Sequence, residues 1–160
     1  MAQGIGPQTL GPDAERSLIA LGRLMAVAQD DWCLIGGTAA ALYGMKAPLA
    51  DIDVLMSVAD TERVFAQNGL RPMRDSGTAR FRSEVFCRWN GLAVPVEFMA
   101  GFDVKSQGRW VRVTPRPAQE IPVGDARVWL PSIDDLIVMY ELFDRPQDRP
   151  RVAYLSTLRA

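Results

Sequence analysis

The sequence predicts an α/β (α+β) fold, and three observations carry the prediction. Between Trp32 and Met56 the pattern runs strand, tight turn, short helix, loop, strand. From Arg80 to Met99, apolar and polar residues alternate on both sides of Asn90-Gly91, as in a hairpin. The two ends of the chain instead carry apolar residues at helical spacing. The chain of 160 residues is 48% hydrophobic and 23% charged, ordinary values for one domain with a sizeable core. Residues 1–12, rich in Gly and Pro, read as a flexible N-terminal arm, and 13–160 as a single domain.

Taken in order, Asp13 is the expected N-cap of a helix running to about Gln29, with Leu18, Leu21, Leu24, Met25 and Ala28 as its apolar stripe. Trp32 to Ile35 is a short apolar strand ending in Gly36-Gly37. Thr38 then opens a small-residue helix that stops at Gly44, and the chain returns on Asp51-Ile52-Asp53 followed by Val54-Leu55-Met56. Ala59 to Asn68 reads as a helix with Val64 and Phe65 inward and Gly69 as its stop. Arg71 to Thr78 is a polar connector of the kind that rims a site.

A tight turn at Asn90-Gly91 pairs Trp89 with Leu92, Cys87 with Val94, Val85 with Val96 and Ser83 with Phe98. One face is then almost wholly apolar. The other projects Arg82, Glu84, Phe86, Arg88, Glu97 and Met99, with Glu84 across from Glu97 and Arg82 on its diagonal. Trp110–Val113 and Arg127–Leu130 read as short strands. Arg109, Trp110 and Arg112 form an aromatic and basic edge that is more simply a solvated strand than a nucleic-acid surface. Ser132 caps a helix over Ile133–Phe143, and a last helix spans Asp148–Leu158.

Composition excludes several chemistries. The chain has no histidine, which rules out Ser-His-Asp and Cys-His catalysis and any His-ligated zinc site. The net charge of −1 supplies no global field for nucleic acid. No apolar run is long enough to span a membrane, the N-terminus lacks the pattern of a secretory leader, and Cys33 and Cys87 sit in apolar strands as buried thiols would. The expected location is cytoplasmic.

Chemistry concentrates at the centre of the Trp32–Met56 unit. Asp51 and Asp53, at i and i+2 on a strand, point to the same face with Cα atoms roughly 6–7 Å apart. Two like charges in an apolar strand are costly unless a cation sits between them, and hard oxygen ligands suit Mg²⁺ or Mn²⁺. The Gly36-Gly37 turn lets backbone N–H groups approach an anion. A phosphate site beside a metal site is the chemistry of a nucleoside triphosphate.

Gly36-Gly37-Thr38, with Asp51-Ile52-Asp53 beginning thirteen positions after Thr38, resembles the signature of the DNA polymerase β-like nucleotidyltransferase superfamily, in particular its minimal members. The tail is similar as well, through Arg145, Pro146 and Asp148. The chain departs from the common pattern at Lys46 and Leu49 (Arg and Thr in many relatives), at Tyr140 (a lysine) and at Arg151 (an acid). The resemblance implies the nucleotidyltransferase fold, a mixed central β-sheet flanked by helices with further helices at the C-terminus. It also implies a two-metal mechanism, with Asp51, Asp53 and a third carboxylate as metal ligands. Glu97, flanked by Val96 and Phe98, is the first choice for that carboxylate and Glu84 the second. The triphosphate is expected on Gly36, Gly37 and the Thr38 hydroxyl or N–H, with Lys46, Arg80 or Arg82 balancing its charge and Arg82 favoured by its diagonal to Glu97. The implied reaction moves a nucleoside monophosphate from an NTP to an acceptor hydroxyl of a small molecule, RNA or protein, releasing pyrophosphate. The alternative is a non-catalytic nucleotide-binding or toxin–antitoxin-type module with the same fold. A chain this short leaves room for a second copy or a partner protein to complete the acceptor site.

Overall fold

The computed structural model describes residues 6, 10–73 and 77–159. Most of the expected N-terminal arm lies outside these residues. Gly6 is buried, and its N–H donates to the Leu42 carbonyl at 3.3 Å.

Helix α1 (Pro12–Leu24) begins two residues earlier than an N-cap at Asp13 predicts, because Pro12 takes the first helical position and Gly11 serves as N-cap. It ends before Gln29. A 3₁₀ turn over Met25–Val27 follows, and the N–H groups of Gln29 and Asp30 donate to the Asp60 carboxylate, each at 2.9 Å. Strand β1 (Cys33–Ile35) runs straight into α2 (Gly36–Leu42), so the two glycines form the first turn of the helix rather than a separate turn before it. Strand β2 (Ile52–Met56) follows, then α3 (Val58–Phe65), capped by Ser57 and closed by a 3₁₀ turn and the left-handed Gly69. Val64 and Phe65 are both buried, as their spacing predicts.

Strands β3 (Phe81–Trp89), β4 (Val96–Ser106) and β5 (Arg109–Val113) complete a mixed five-stranded sheet in the order β1-β2-β4-β3, with β5 also on β4. Strand β2 lies antiparallel to β1 and parallel to β4, while β3 and β5 are antiparallel to β4. A separate hairpin, β6 (Gln119–Val123) and β7 (Ala126–Leu130), packs on α1, and β7 also touches β1. Helices α4 (Ile133–Phe143) and α5 (Asp148–Thr157) close the chain. Phe65 of α3 meets Phe98 of β4 edge to face at 5.2 Å, and Phe81, Phe102 and Phe143 form a second aromatic cluster between sheet and α4.

Two hairpin expectations change. Asn90-Gly91 does not make a two-residue turn. The loop runs to Pro95, and the observed partners are Trp89 with Val96, Cys87 with Phe98, Val85 with Ala100 and Ser83 with Phe102. The register has slipped by an even step, so Cys87, Val96 and Phe98 still reach the core and Glu97 still projects from the opposite face. Glu97 now lies across from Arg88 rather than Glu84. Two-residue turns occur instead at Gln107-Gly108, which joins Ser106 to Arg109, and at Gly124-Asp125, which joins Val123 to Ala126. β6 was not expected, because Pro122 within it argues against a central strand, and β6 pairs on one side only.

Asp60 is the most demanding polar group in this frame. It is fully buried, and it accepts from Gln29 N, Asp30 N and, at 2.7 Å, Arg63 Nη1. Burial alone would raise its pKa, but the two backbone donors and Arg63 outweigh burial and hold it below the usual carboxylate value. Asp60→Ala is expected to cost about 3 kcal/mol in urea unfolding at pH 7, because it leaves those donors unsatisfied. A depressed carboxyl contributes above its unfolded pKa and is lost as pH falls through the folded one, so this cost should shrink in acid. An undiminished cost at pH 3 would count against the carboxylate as its source.

Candidate active site

The site is assembled where β1, β2 and β4 lie side by side. Register pairs Asp53 with Ile35 on one side and with Glu97 on the other. Asp51, two residues before Asp53, falls on the same face, and the three carboxylates each offer an oxygen within 4.8 Å of the others. The chain turns into α2 directly above Asp53. Gly36 has φ +66°, and a Cβ there would stand 2.5 Å from Asp53 Oδ2, so only glycine allows this approach. The Gly36 carbonyl accepts from the buried Tyr140 hydroxyl at 2.6 Å, which anchors the turn to α4. Thr38 is buried, and its hydroxyl donates to the Asp51 carbonyl at 3.1 Å. That hydroxyl therefore ties α2 to the start of β2 and does not face a ligand.

These groups open into a cavity of about 460 Å³. Gly36, Gly37, Arg145 and Arg151 line it together with Asp51, Asp53 and Glu97, and further lining comes from β3 and β4. The lining residues are Phe86, Glu97 and Met99 on one side of Gly101 and Phe81, Ser83 and Phe102 on the other. The alternation thus shifts by one residue at Gly101, which has φ +59° and sits where β4 exchanges β2 for β5.

This shift decides where Arg82 goes. Arg82 turns away from the cavity, bonds Asp103 through Nε at 3.0 Å and lies 4.2 Å over the Trp110 ring. Arg80 donates to the carbonyls of Phe143 and Asp144 at the end of α4. Lys46 is exposed and is not among the lining residues, while its neighbours Pro48 and Leu49 are. Glu84 is exposed, pairs with Arg112 at 3.4 Å and does not join the carboxylate group, which leaves Glu97 in the third position. The cations that do face the cavity, Arg145 and Arg151, were not expected as phosphate ligands. Arg151 stood out in the sequence only as a departure from the common pattern. The recoverable signal was the spacing of three on either side of Asp148, with Arg145 in the connector before α5 and Arg151 one turn into it.

The clustering leaves a strong electrostatic mark. Asp53 is pushed up to about 7, chiefly by burial and then by the charges of Asp51 and Glu97, with Arg145 and Arg151 opposing. Glu97 is also pushed up to about 7, by burial and by its hydrogen bond to, and the charge of, Asp51, against the pull of Arg88 at 3.1 Å. The donor set is all carboxylate oxygen with excess negative charge, and it fits a hard divalent cation.

Both groups have folded values above their unfolded ones, so their contribution is present below about pH 4 and is lost as pH rises through about 7. Asp53→Asn is therefore expected to stabilise the metal-free protein more at pH 8 than at pH 5 in urea unfolding. An equal gain at both values would remove Asp53 from this role.

No family model matches the sequence, and no curated protein matches it either. The fold is nevertheless the nucleotidyltransferase fold, as the structure's resemblance to solved proteins shows. A Thermotoga maritima protein provisionally classed as a nucleotidyltransferase superposes with a TM-score of 0.62 at 20% identity, covering 90% of this chain and 89% of its own. The lincosamide antibiotic adenylyltransferase LnuA, solved with lincomycin, gives 0.58 at 12% identity over 90% of this chain and 97% of its own. The antibiotic-resistance factor ANT(2'')-Ia gives 0.54 at 14% identity over 93% of this chain and 86% of its own.

Proposed function

We propose that this protein transfers a nucleoside monophosphate from a nucleoside triphosphate to an acceptor hydroxyl. The observation that carries the reading is the convergence of Asp51, Asp53 and Glu97 directly beneath the Gly36-Gly37 turn. In this reading Asp51 and Asp53 would hold two Mg²⁺ or Mn²⁺ ions, with Glu97 as the third carboxylate. Divalent cations there supply charge neutralisation at the α-phosphate and a lowered pKa for the attacking hydroxyl. The chain supplies the rest. Backbone N–H groups at Gly36 and Gly37 cradle the phosphates, and Glu97 would either ligate a cation or take the proton of the acceptor hydroxyl. The acceptor oxygen bonds to the α-phosphorus while the bond to the β-phosphate oxygen breaks, and pyrophosphate leaves with the electron pair. Cys33 and Cys87 are free buried thiols, which fits a reducing, NTP-rich cytoplasm.

The test is thermal stability with ATP, GTP, CTP and UTP, each with and without Mg²⁺, for wild type and Asp53→Asn. A nucleotide at a hundred times its Kd should stabilise by about 2.7 kcal/mol, several degrees for a domain of this size. A Mg²⁺-dependent shift with one nucleotide, absent in the variant, names the donor. Acceptor screening with that donor starts from small hydroxyl compounds, because LnuA is an adenylyltransferase of a small antibiotic, and extends to RNA and protein. No shift with any nucleotide would favour a non-catalytic interaction module of the toxin–antitoxin type.

A further inference from the structure

We infer that Arg145 and Arg151, held in place by the buried carboxylate of Asp148, form a polyphosphate clamp for the β- and γ-phosphates of the donor and for the departing pyrophosphate. The inference rests on the nucleotidyl-transfer reading, but its own observations are separate. Asp148 opens α5 with its side chain 2% exposed. Its two oxygens accept a fork from Arg145, Nε at 2.7 Å and Nη2 at 3.0 Å, and one of them also accepts from Arg151 Nη1 at 3.0 Å. One anion thus holds two cations, which leaves a net positive charge at this edge of the cavity.

Aromatic faces fix the same two groups. The Arg145 guanidinium lies 5.3 Å from the Phe81 ring centre and 5.2 Å from that of Phe143, and Arg151 lies 5.7 Å from that of Tyr140. Both arginines line the cavity that holds Gly36, Gly37 and Asp53. Arg151 reaches the glycine turn itself: a Cβ on Gly37 would come within 3.0 Å of Nη2. Planar guanidinium forks presented beside backbone N–H groups match the oxygen geometry of phosphate chains. With the orientation already paid by Asp148 and the rings, little entropy is lost when a polyanion docks.

A purely structural staple, tying α5 to α4, would give the same hydrogen bonds but would not bind a polyanion. Calorimetry with inorganic tripolyphosphate on the intact chain, free of divalent cations, separates the two. Arg145→Met and Arg151→Met each leave Asp148 one arginine and the backbone N–H of residue 145, so both variants should keep the fold, as circular dichroism can verify. Wild type should bind tripolyphosphate, each variant should bind at least about tenfold more weakly, and Arg151→Lys should recover part of the loss. Asp53→Asn should bind tripolyphosphate more tightly than wild type, because a negative charge has gone. Undiminished binding in both arginine variants, or none in wild type, would overturn the clamp. Failure of the nucleotidyl-transfer reading would look different: tripolyphosphate binding intact, with no Mg²⁺-dependent nucleotide binding for Asp53→Asn to remove.

Discussion

Asp53→Asn is expected to reduce nucleotidyl transfer by more than about a hundredfold, the loss typical of removing a mere supporting partner of a metal ligand. The expectation follows from position. Asp53 is the middle member of the carboxylate group, flanked by Asp51 on its own strand side and by Glu97 across the parallel β2–β4 pair. Asparagine keeps the shape but removes the charge that a divalent cation needs. The matched control is Glu84→Gln, an exposed carboxylate on β3 whose partner is Arg112. Glu84→Gln should leave transfer within about twofold of wild type, as surface pairs of this kind contribute little. Steady-state assay of the two variants with the donor nucleotide decides the matter. Equal activities would remove the carboxylate group from catalysis.

Gly36→Ala should be almost as damaging, through the backbone. A non-glycine residue at φ +66° costs roughly 1–2 kcal/mol in conformation alone. The added Cβ would also stand 2.5 Å from Asp53 Oδ2, so either the carboxylate or the turn must move. The variant should therefore lose stability in urea by at least that conformational cost and lose Mg²⁺-dependent nucleotide stabilisation as well. Gly69→Ala is the informative comparison. Its φ of +67° is similar but its Cβ would meet nothing within 4 Å, so it should lose stability and keep nucleotide binding. If Gly36→Ala retained full Mg²⁺-dependent binding, the close approach of turn and carboxylate would have no functional meaning.

Several parts of this architecture were legible residue by residue. The Gly36-Gly37 turn and the Asp51/Asp53 pair were visible because each imposes a local requirement: a positive φ for Gly36, and a shared strand face for the two acids. The α4 boundaries at Ile133 and Phe143 were legible because Ser132 caps one end, with Asp135 N donating to its hydroxyl at 3.1 Å. The β3–β4 register was not. Asn90-Gly91 carries a strong hairpin signal, yet core packing of Trp89, Leu92 and Val94 draws the turn into a longer loop. Gly124-Asp125 carried a usable signal, but Pro122 beside it masked the strand it serves.

Tyr140 and Arg151, the two positions in the C-terminal helices that depart from the common pattern, turn out to be in contact, with the guanidinium over the ring. The sequence presents them as unrelated losses. In space Arg151 lines the cavity with its guanidinium over the Tyr140 ring, so a cation is present there after all, carried on α5.

Local chemistry was readable from the chain alone: Gly36 can turn with positive φ, Asp51 and Asp53 share a strand face, and Ser132 caps α4. These depend on interactions within a few residues. Long-range packing settled that Glu97 rather than Glu84 joins the two aspartates, that Arg82 stands apart, and that Arg145 and Arg151 face the cavity. Each of these outcomes hangs on strand register, on the one-residue shift at Gly101, or on the docking of α5 against α2. Such long-range choices are set by the packing of the whole core, where a slip of one residue turns a side chain to the opposite face.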